Sequence, residues 1–211
     1  MKSLQKRTEY ALIAHTAHGI IKYDCKINTV DVGLIARYLD KKTYDMLCET
    51  GCPNYRNKWS CPPYAPCYTD FVIPYKYIDV VMLQIRMQEF DYIKQDYLKI
   101  KAANSVLKSR IDKALRLSKN SEEFYISTGS CRLCKPCKRK LNENCAHPKE
   151  RTYSFEALGI NVSALTLDLF ETELQWYKKK NLPGYTCVVG GLLTNYVTNH
   201  DRIIKHLKQL G

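Results

Sequence analysis

Eight of the ten cysteines in this chain fall into two tight groups, and their spacing is its strongest chemical signal. The first group runs Cys48-x3-Cys52-Pro53-Asn54-Tyr55-x3-Trp59-Ser60-Cys61-Pro62-Pro63-Tyr64-Ala65-Pro66-Cys67. The second is Cys131, Cys134 and Cys137, then Cys145 and Ala146-His147-Pro148. Thiolate is a soft ligand that suits zinc, Cu(I) and iron–sulfur clusters, so ligand type alone does not choose among them. Spacing says more. Three cysteines at i, i+3 and i+6 fold a short loop around one corner of a cluster, and a fourth further on closes the other side.

Bacterial ferredoxins hold a [4Fe–4S] cluster with two such x2 spacings and a later cysteine before proline. Here the fourth cysteine comes later and the proline stands three residues past it, which describes a variant single-cluster loop. Structural zinc sites usually pair two Cys-x2–4-Cys knuckles separated by a dozen or more residues. Residues 131–145 offer no second knuckle, so the expectation there is a [4Fe–4S] cluster, with zinc as the alternative. In the first group Cys48-x3-Cys52 opens like a radical-SAM motif, but Asn54 and Tyr55 follow where its third cysteine is required. If Cys48, Cys52 and Cys61 alone bind a cluster, one iron lacks a protein thiolate and can take substrate. If Cys67 also binds, the cluster is closed and suits electron transfer or structure. One or two clusters are therefore expected, with zinc remaining an alternative in the first group as well. Four prolines across 48–67 forbid regular helix or central strand. A metal or cluster is the expected ordering agent of that loop, with Trp59 and Tyr55 shielding it from water.

Around the second loop Arg132, Lys135, Lys138, Arg139, Lys140, Lys149 and Arg151 outnumber Glu143 and Glu150. Positive charge beside an anionic cluster raises its reduction potential and steers an acidic redox partner protein. His147 stands as a substitute for Cys145 or as support behind the ligands. Cys25 and Cys187 stand alone and read as buried, inert thiols.

The formal net charge of +12 favours acidic partners, but a lysine-rich surface also serves solubility alone. Nucleic acid is disfavoured as a partner, because the tyrosines sit at core-like positions and no interleaved basic–aromatic motif occurs. Gly190-Gly191 by itself makes no dinucleotide fingerprint, and there is no P-loop. No run of about 18 apolar residues occurs, so no membrane span is expected. No secretory signal is evident at the N-terminus, and clustered cysteines in a reducing compartment are more often ligands than disulfides, so the expected location is cytoplasmic. With 211 residues and 45% apolar content, residues 1–211 read as a single domain that can bury a normal core. The sequence leaves the oligomeric state open.

The elements that must position the cysteines follow from periodicity. Leu4, Ala11, Leu12, Ala14, Ala17, Ile20 and Ile21 predict an amphipathic helix over 3–21, with His15 and His18 on one face. Residues 24–33 read as a strand or loop, and 34–47 as one or two short helices leading to Cys48. Residues 77–87 read as a buried strand. The stripe Ile93, Tyr97, Ile100, Leu107, Ile111 and Ala114 predicts a long helix from about 92 to 118. A strand at 123–127 then leads through Thr128-Gly129-Ser130 into the second cysteine loop. This strand–helix–strand order resembles a βαβ unit, so a partly parallel sheet is expected. A short helix at 154–158 halted by Gly159, a helix capped by Asn161 or Ser163, a strand at 185–193 and a basic helix at 198–210 complete the chain. The fold class is α/β or α+β, a small mixed sheet with flanking helices and two cysteine-rich metal loops.

Three segments together, Cys-Pro-Asn-Tyr-x3-Trp-Ser-Cys-Pro-Pro (52–63), Cys-x2-Cys-x2-Cys-x7-Cys-Ala-His-Pro (131–148) and Tyr-Ser-Phe-Glu-Ala-Leu-Gly-Ile-Asn-Val (153–162), resemble the DUF2284 family over roughly residues 45–165. That family comprises predicted metal-binding proteins of anaerobic archaea and bacteria. The resemblance implies cysteine-bound metal, iron–sulfur in particular, and no settled reaction. It carries Cys48, Cys52 and Cys61 in the first group and leaves the role of Cys67 open. Three functions compete: an iron–sulfur protein with an electron-transfer or other redox role; an enzyme using an open iron site, or a carrier of sulfur or metal; and a zinc-stapled basic module that binds nucleic acid.

Overall fold

The computed structural model describes residues 6–178 and 181–211. Its centre is a five-stranded sheet built from β1 (Lys6–Thr16), β2 (Gly19–Asp31), β3 (Tyr77–Arg86), β4 (Phe124–Ile126) and β5 (Tyr185–Thr194). The order is β1-β2-β3-β5-β4, and every neighbouring pair is antiparallel. The helices are α1 (Val32–Ile35), α2 (Lys41–Gly51), α3 (Tyr68–Phe71), α4 (Asp96–Ser118), α5 (Val162–Phe170) and α6 (Asp201–Gln209). The fold is α+β.

The helix expected over residues 3–21 is corrected to a β-hairpin. Leu4 lies outside the described residues; from Lys6 the chain alternates, with Leu12 and Ala14 buried and Ala11, Ile13 and His15 exposed. Tyr23, Cys25 and Ile27 continue the inward row on β2. Thr16 pairs with Gly19 across a two-residue loop, and Gly19 takes a positive φ of 118°, open to it because it has no Cβ. His15 and His18 therefore share no helix face; the His18 ring lies 4.7 Å from that of Tyr92.

The expected parallel portion of the sheet is also corrected. The strand–helix–strand succession β3–α4–β4 exists, but β5, the last strand in the chain, inserts between β3 and β4 and runs antiparallel to both. The parallel contact nearby is a single bridge, Ser127 to Ser154. The short helix expected at 154–158 is a run of turns in which Ser154 Oγ accepts the Ala157 N–H.

The centre of the sheet is buried on both faces, while one face of the β1–β2 hairpin is open to solvent at Ile13 and Ile20. One face carries Ile27, Val81, Leu83, Ile85 and Val188 against Leu107, Ile111 and Leu115 of α4 and Leu207 of α6. The other carries Val30, Ile78, Val80 and Met82 against Tyr68, Phe155, Leu158, Ile160 and Leu165. Burial on both sides is why β3 reads as an unbroken apolar run. Gly190 and Gly191 let both layers close in. A Cβ on Gly190 would meet Ile126 O and Leu115 Cδ1 at 2.9 Å, and one on Gly191 would meet Ile78 Cδ1 at 2.8 Å. Among the described residues no helix is long and apolar enough to cross a membrane.

Candidate metal centre

The first cysteine group begins on a helix. Asp40 caps α2 by accepting the Thr43 N–H, and Lys41 pairs with Asp45 one turn on. Cys48 lies in the last turn of α2, and the Cys52 N–H closes that turn on the Cys48 carbonyl. Beyond it the prolines leave successive turns: Tyr55 N–H to Cys52 O, Cys61 N–H to Lys58 O, and Arg56 N–H back to Pro62 O. The segment ends at Cys67, which precedes α3; Tyr68 is fully buried and receives Leu158 O on its backbone N–H.

The second group is a loop closed at its neck. Ser127 donates its N–H to Tyr153 O at 2.8 Å and its hydroxyl to Gly129 O at 2.8 Å, so the chain leaves and re-enters at one point. Between them Cys131, Cys134, Cys137 and Cys145 all line one pocket, whose walls include Trp59, Ser60, Leu133, His147 and Arg151. Leu133 and Trp59 supply apolar cover. His147 belongs to this wall, with Nδ1 3.9 Å from the Glu150 carboxylate. Tyr55 is not part of it and has the Arg56 guanidinium over its ring instead.

The two groups pack against each other. Ser60, nearly inaccessible, accepts the Cys131 N–H at 3.0 Å. Lys58 Nζ donates to Ser130 Oγ at 2.8 Å and to Cys131 O at 3.2 Å. Trp59 Nε1 donates to Glu143 O at 2.9 Å. The Arg139 guanidinium lies 5.5 Å from the Trp59 ring and 4.7 Å from that of Tyr64, and it donates to the Tyr64 hydroxyl. A second seam lies behind them, where Asp40 N–H donates to Gly159 O, Asn161 N–H donates to Tyr38 O, and Leu39 bridges Ile160. Gly159 permits that seam: its φ is +90°, and a Cβ there would stand 2.7 Å from Lys41 Cα.

The thiols report their neighbours. Burial first, then the charges of Cys52, Cys61, Asp45 and Glu156, push the Cys48 thiol up to about 11. The Cys61 thiol is also raised by burial, opposed by the Ser60 hydrogen bond and Lys58, with Cys52 and Cys137 adding to the rise. Cys48, Cys52 and Cys61 thus form one electrostatic set, and Cys137 of the second group adjoins it. Cys67 accepts the Thr69 hydroxyl at 3.4 Å. Cys25 is fully buried and its thiol is driven strongly upward by burial; burial likewise pushes Cys187 up to about 12. Both are inert at neutral pH.

Among the described residues no three His, Cys, Asp or Glu side chains converge as a ready site for one metal ion. The four thiols of the second loop nonetheless border one shared space, and the donors are uniformly soft. That donor set fits a thiolate-held metal group, with Cys131, Cys134, Cys137 and Cys145 as one set and Cys48, Cys52 and Cys61 as the other. Sequence reasoning missed Ser60, Lys58 and Gly159 as positioning residues. Only the placement of Ser60 beside Cys61 offered a hint.

No curated protein and no solved structure matches the chain. A family model, described as "Predicted metal-binding protein (DUF2284)", matches residues 37–194, which hold both cysteine groups and every seam between them. The chain therefore belongs to the DUF2284 family of predicted metal-binding proteins.

Proposed function

We propose that this protein is an iron–sulfur redox protein, with a [4Fe–4S] cluster held by Cys131, Cys134, Cys137 and Cys145 and a second held by the first cysteine group. The observation that carries the reading is the single pocket bordered by all four cysteines of the second loop, adjoining Cys61 through Cys137. Such a cluster, when bound, supplies reversible one-electron chemistry. The chain's own residues supply the rest. Trp59 and Leu133 exclude water from the pocket, and Ser60 holds the loop in place through the Cys131 amide. Lys138 is spent on Glu143 and Arg139 on the aromatic pair, whereas Arg132, Lys135, Lys140 and Lys149 are exposed. Those four support docking of an acidic redox partner protein.

The mutual electrostatic coupling of Cys48, Cys52 and Cys61 supports a further reading for the first group. Three thiolates would leave one iron open to a substrate, as a Lewis acid or redox site.

The test is purification without oxygen, followed by iron, sulfide and zinc analysis of the native chain and three variants. Iron with matching sulfide is expected in the native protein, with Cys134→Ser and Cys48→Ser each losing about one cluster's worth and Cys67→Ser losing none. Zinc without sulfide, or unchanged iron in Cys134→Ser, overturns the iron–sulfur reading. Iron loss in Cys67→Ser equal to that in Cys48→Ser overturns the open site.

A further inference from the structure

A second cavity lies beside the cysteine loop, between it and α4. It has a volume of ≈ 250 Å³, and its wall sets three cations and several hydroxyls beside apolar surface that includes Leu133. Lys113 and Arg116 reach it from the exposed side of α4, and Arg132 from the loop, next to Cys131. Among the described residues none of the three is in an ion pair. The one acidic side chain in the wall, Asp112, has its oxygens turned away onto Thr128, accepting the backbone N–H at 3.0 Å and the hydroxyl at 3.1 Å.

One hydroxyl of the wall is also placed to donate. Ser130 Oγ accepts from Lys58 Nζ, which leaves its own proton free and polarised. Tyr125 and Thr152 close the inner wall. Three converging cations against one committed carboxylate leave a local excess of positive charge, and guanidinium forks match the geometry of a carboxylate or phosphate. The volume is at the small end for ligand pockets, which excludes a dinucleotide and suits a compact molecule.

We propose that this cavity binds a small oxyanion-bearing molecule, a phosphate monoester or a di-acid, gripped by Lys113, Arg116 and Arg132 directly beside the second cysteine loop. The site stands on the cavity alone and holds whichever metal the cysteines take.

The test is calorimetric titration of the full chain with inorganic phosphate and, separately, with malonate. The comparison is the variant Lys113→Gln/Arg116→Gln, whose changes lie on an exposed helix face and touch no cysteine. Lys205→Gln, an exposed cation of α6, controls for net charge. Saturable binding of at least one anion is expected, weakened about tenfold or more in the double variant and unchanged in Lys205→Gln. The anion that binds tells phosphate from carboxylate chemistry. Binding of neither, equal binding in the double variant, or equal weakening by Lys205→Gln overturns the site. Metal analysis of the same samples is a separate measurement, so failure of the iron–sulfur reading leaves this outcome readable.

Discussion

Replacing Ser60 by alanine isolates the joint between the two cysteine groups. The hydroxyl is 1% exposed and accepts the Cys131 N–H at 3.0 Å across 71 residues of chain. Removing it deletes one neutral hydrogen bond, a net loss of about 0.5–1.5 kcal/mol, and leaves the amide without its acceptor, about 1–3 kcal/mol if no water replaces it. Cys131 is only half-buried, so solvent recovers part of that and about 1–2 kcal/mol remains. The neck of the loop does not depend on Ser60, since the Ser127 N–H still donates to Tyr153 O and its hydroxyl to Gly129 O. The loss should therefore fall on the loop and not on the sheet. Hydrogen exchange reads this directly: the Cys131 amide in Ser60→Ala should exchange about tenfold faster, because 1.4 kcal/mol is tenfold in an opening equilibrium, while amides of β3 and α4 keep their rates. An unchanged Cys131 rate accompanied by faster exchange in β3 would refute the reasoning. Ser60 would then be a core residue whose contact with the loop is incidental.

Two further outcomes follow from the anchors around the site. Gly159→Ala places a Cβ 2.7 Å from Lys41 Cα at a φ of +90°, so left-handed strain and overpacking together should cost about 2–4 kcal/mol, seen as a lower denaturant midpoint with an unchanged slope. Glu123, buried at the start of β4, accepts both arms of Arg202 at 2.7 and 3.1 Å. Burial opposes its charge, but the bonds from Arg202, Tyr196 and Asn120 win and hold its carboxyl below the ordinary value. The stability this adds is present above the unfolded carboxyl pKa of about 4.3 and is lost as pH falls through the depressed folded value. Melting native protein and Glu123→Gln between neutral and acid pH should show a stability gap at neutral pH that narrows as pH falls below about 4.3, and a gap independent of pH would count against the pairing.

Where one element's pattern was enough, the sequence was legible. The later part of the α4 stripe survives, because a long helix lays Leu107, Ile111 and Ala114 on one face regardless of its neighbours, whereas Ile93 precedes the helix and Tyr97 is exposed. The Asn161 cap survives because its bond to the Ala164 N–H is local. The hairpin at β1 and β2 was misread because Ala11, Ala14 and Ala17 favour helix and happen to fall at three-residue steps, while the alternation of Leu12, Ala14, Ile21 and Tyr23 acquires meaning only once the strands pair. The antiparallel sheet was illegible for a different reason. Only β5, arriving some 60 residues after β4, separates β3 from β4, and no local signal marks that insertion.

The same division runs through the site. Within each cysteine group, spacing is local and could be read as ligand geometry. Between the groups, the joint is made of single polar contacts, such as Lys58 to Ser130 and Trp59 to Glu143, which leave no periodic trace in sequence. This alters the physical account of the first loop. Its prolines forbid regular structure, and sequence alone suggested a metal as the ordering agent. The structure supplies a protein-only frame: Tyr68 buried beneath the loop, the Arg56-to-Pro62 turn closing it, and Gly159 and Ile160 clamping the helix that leads into it. These contacts hold both ends of the loop, so protein packing as well as its cysteines fixes its course.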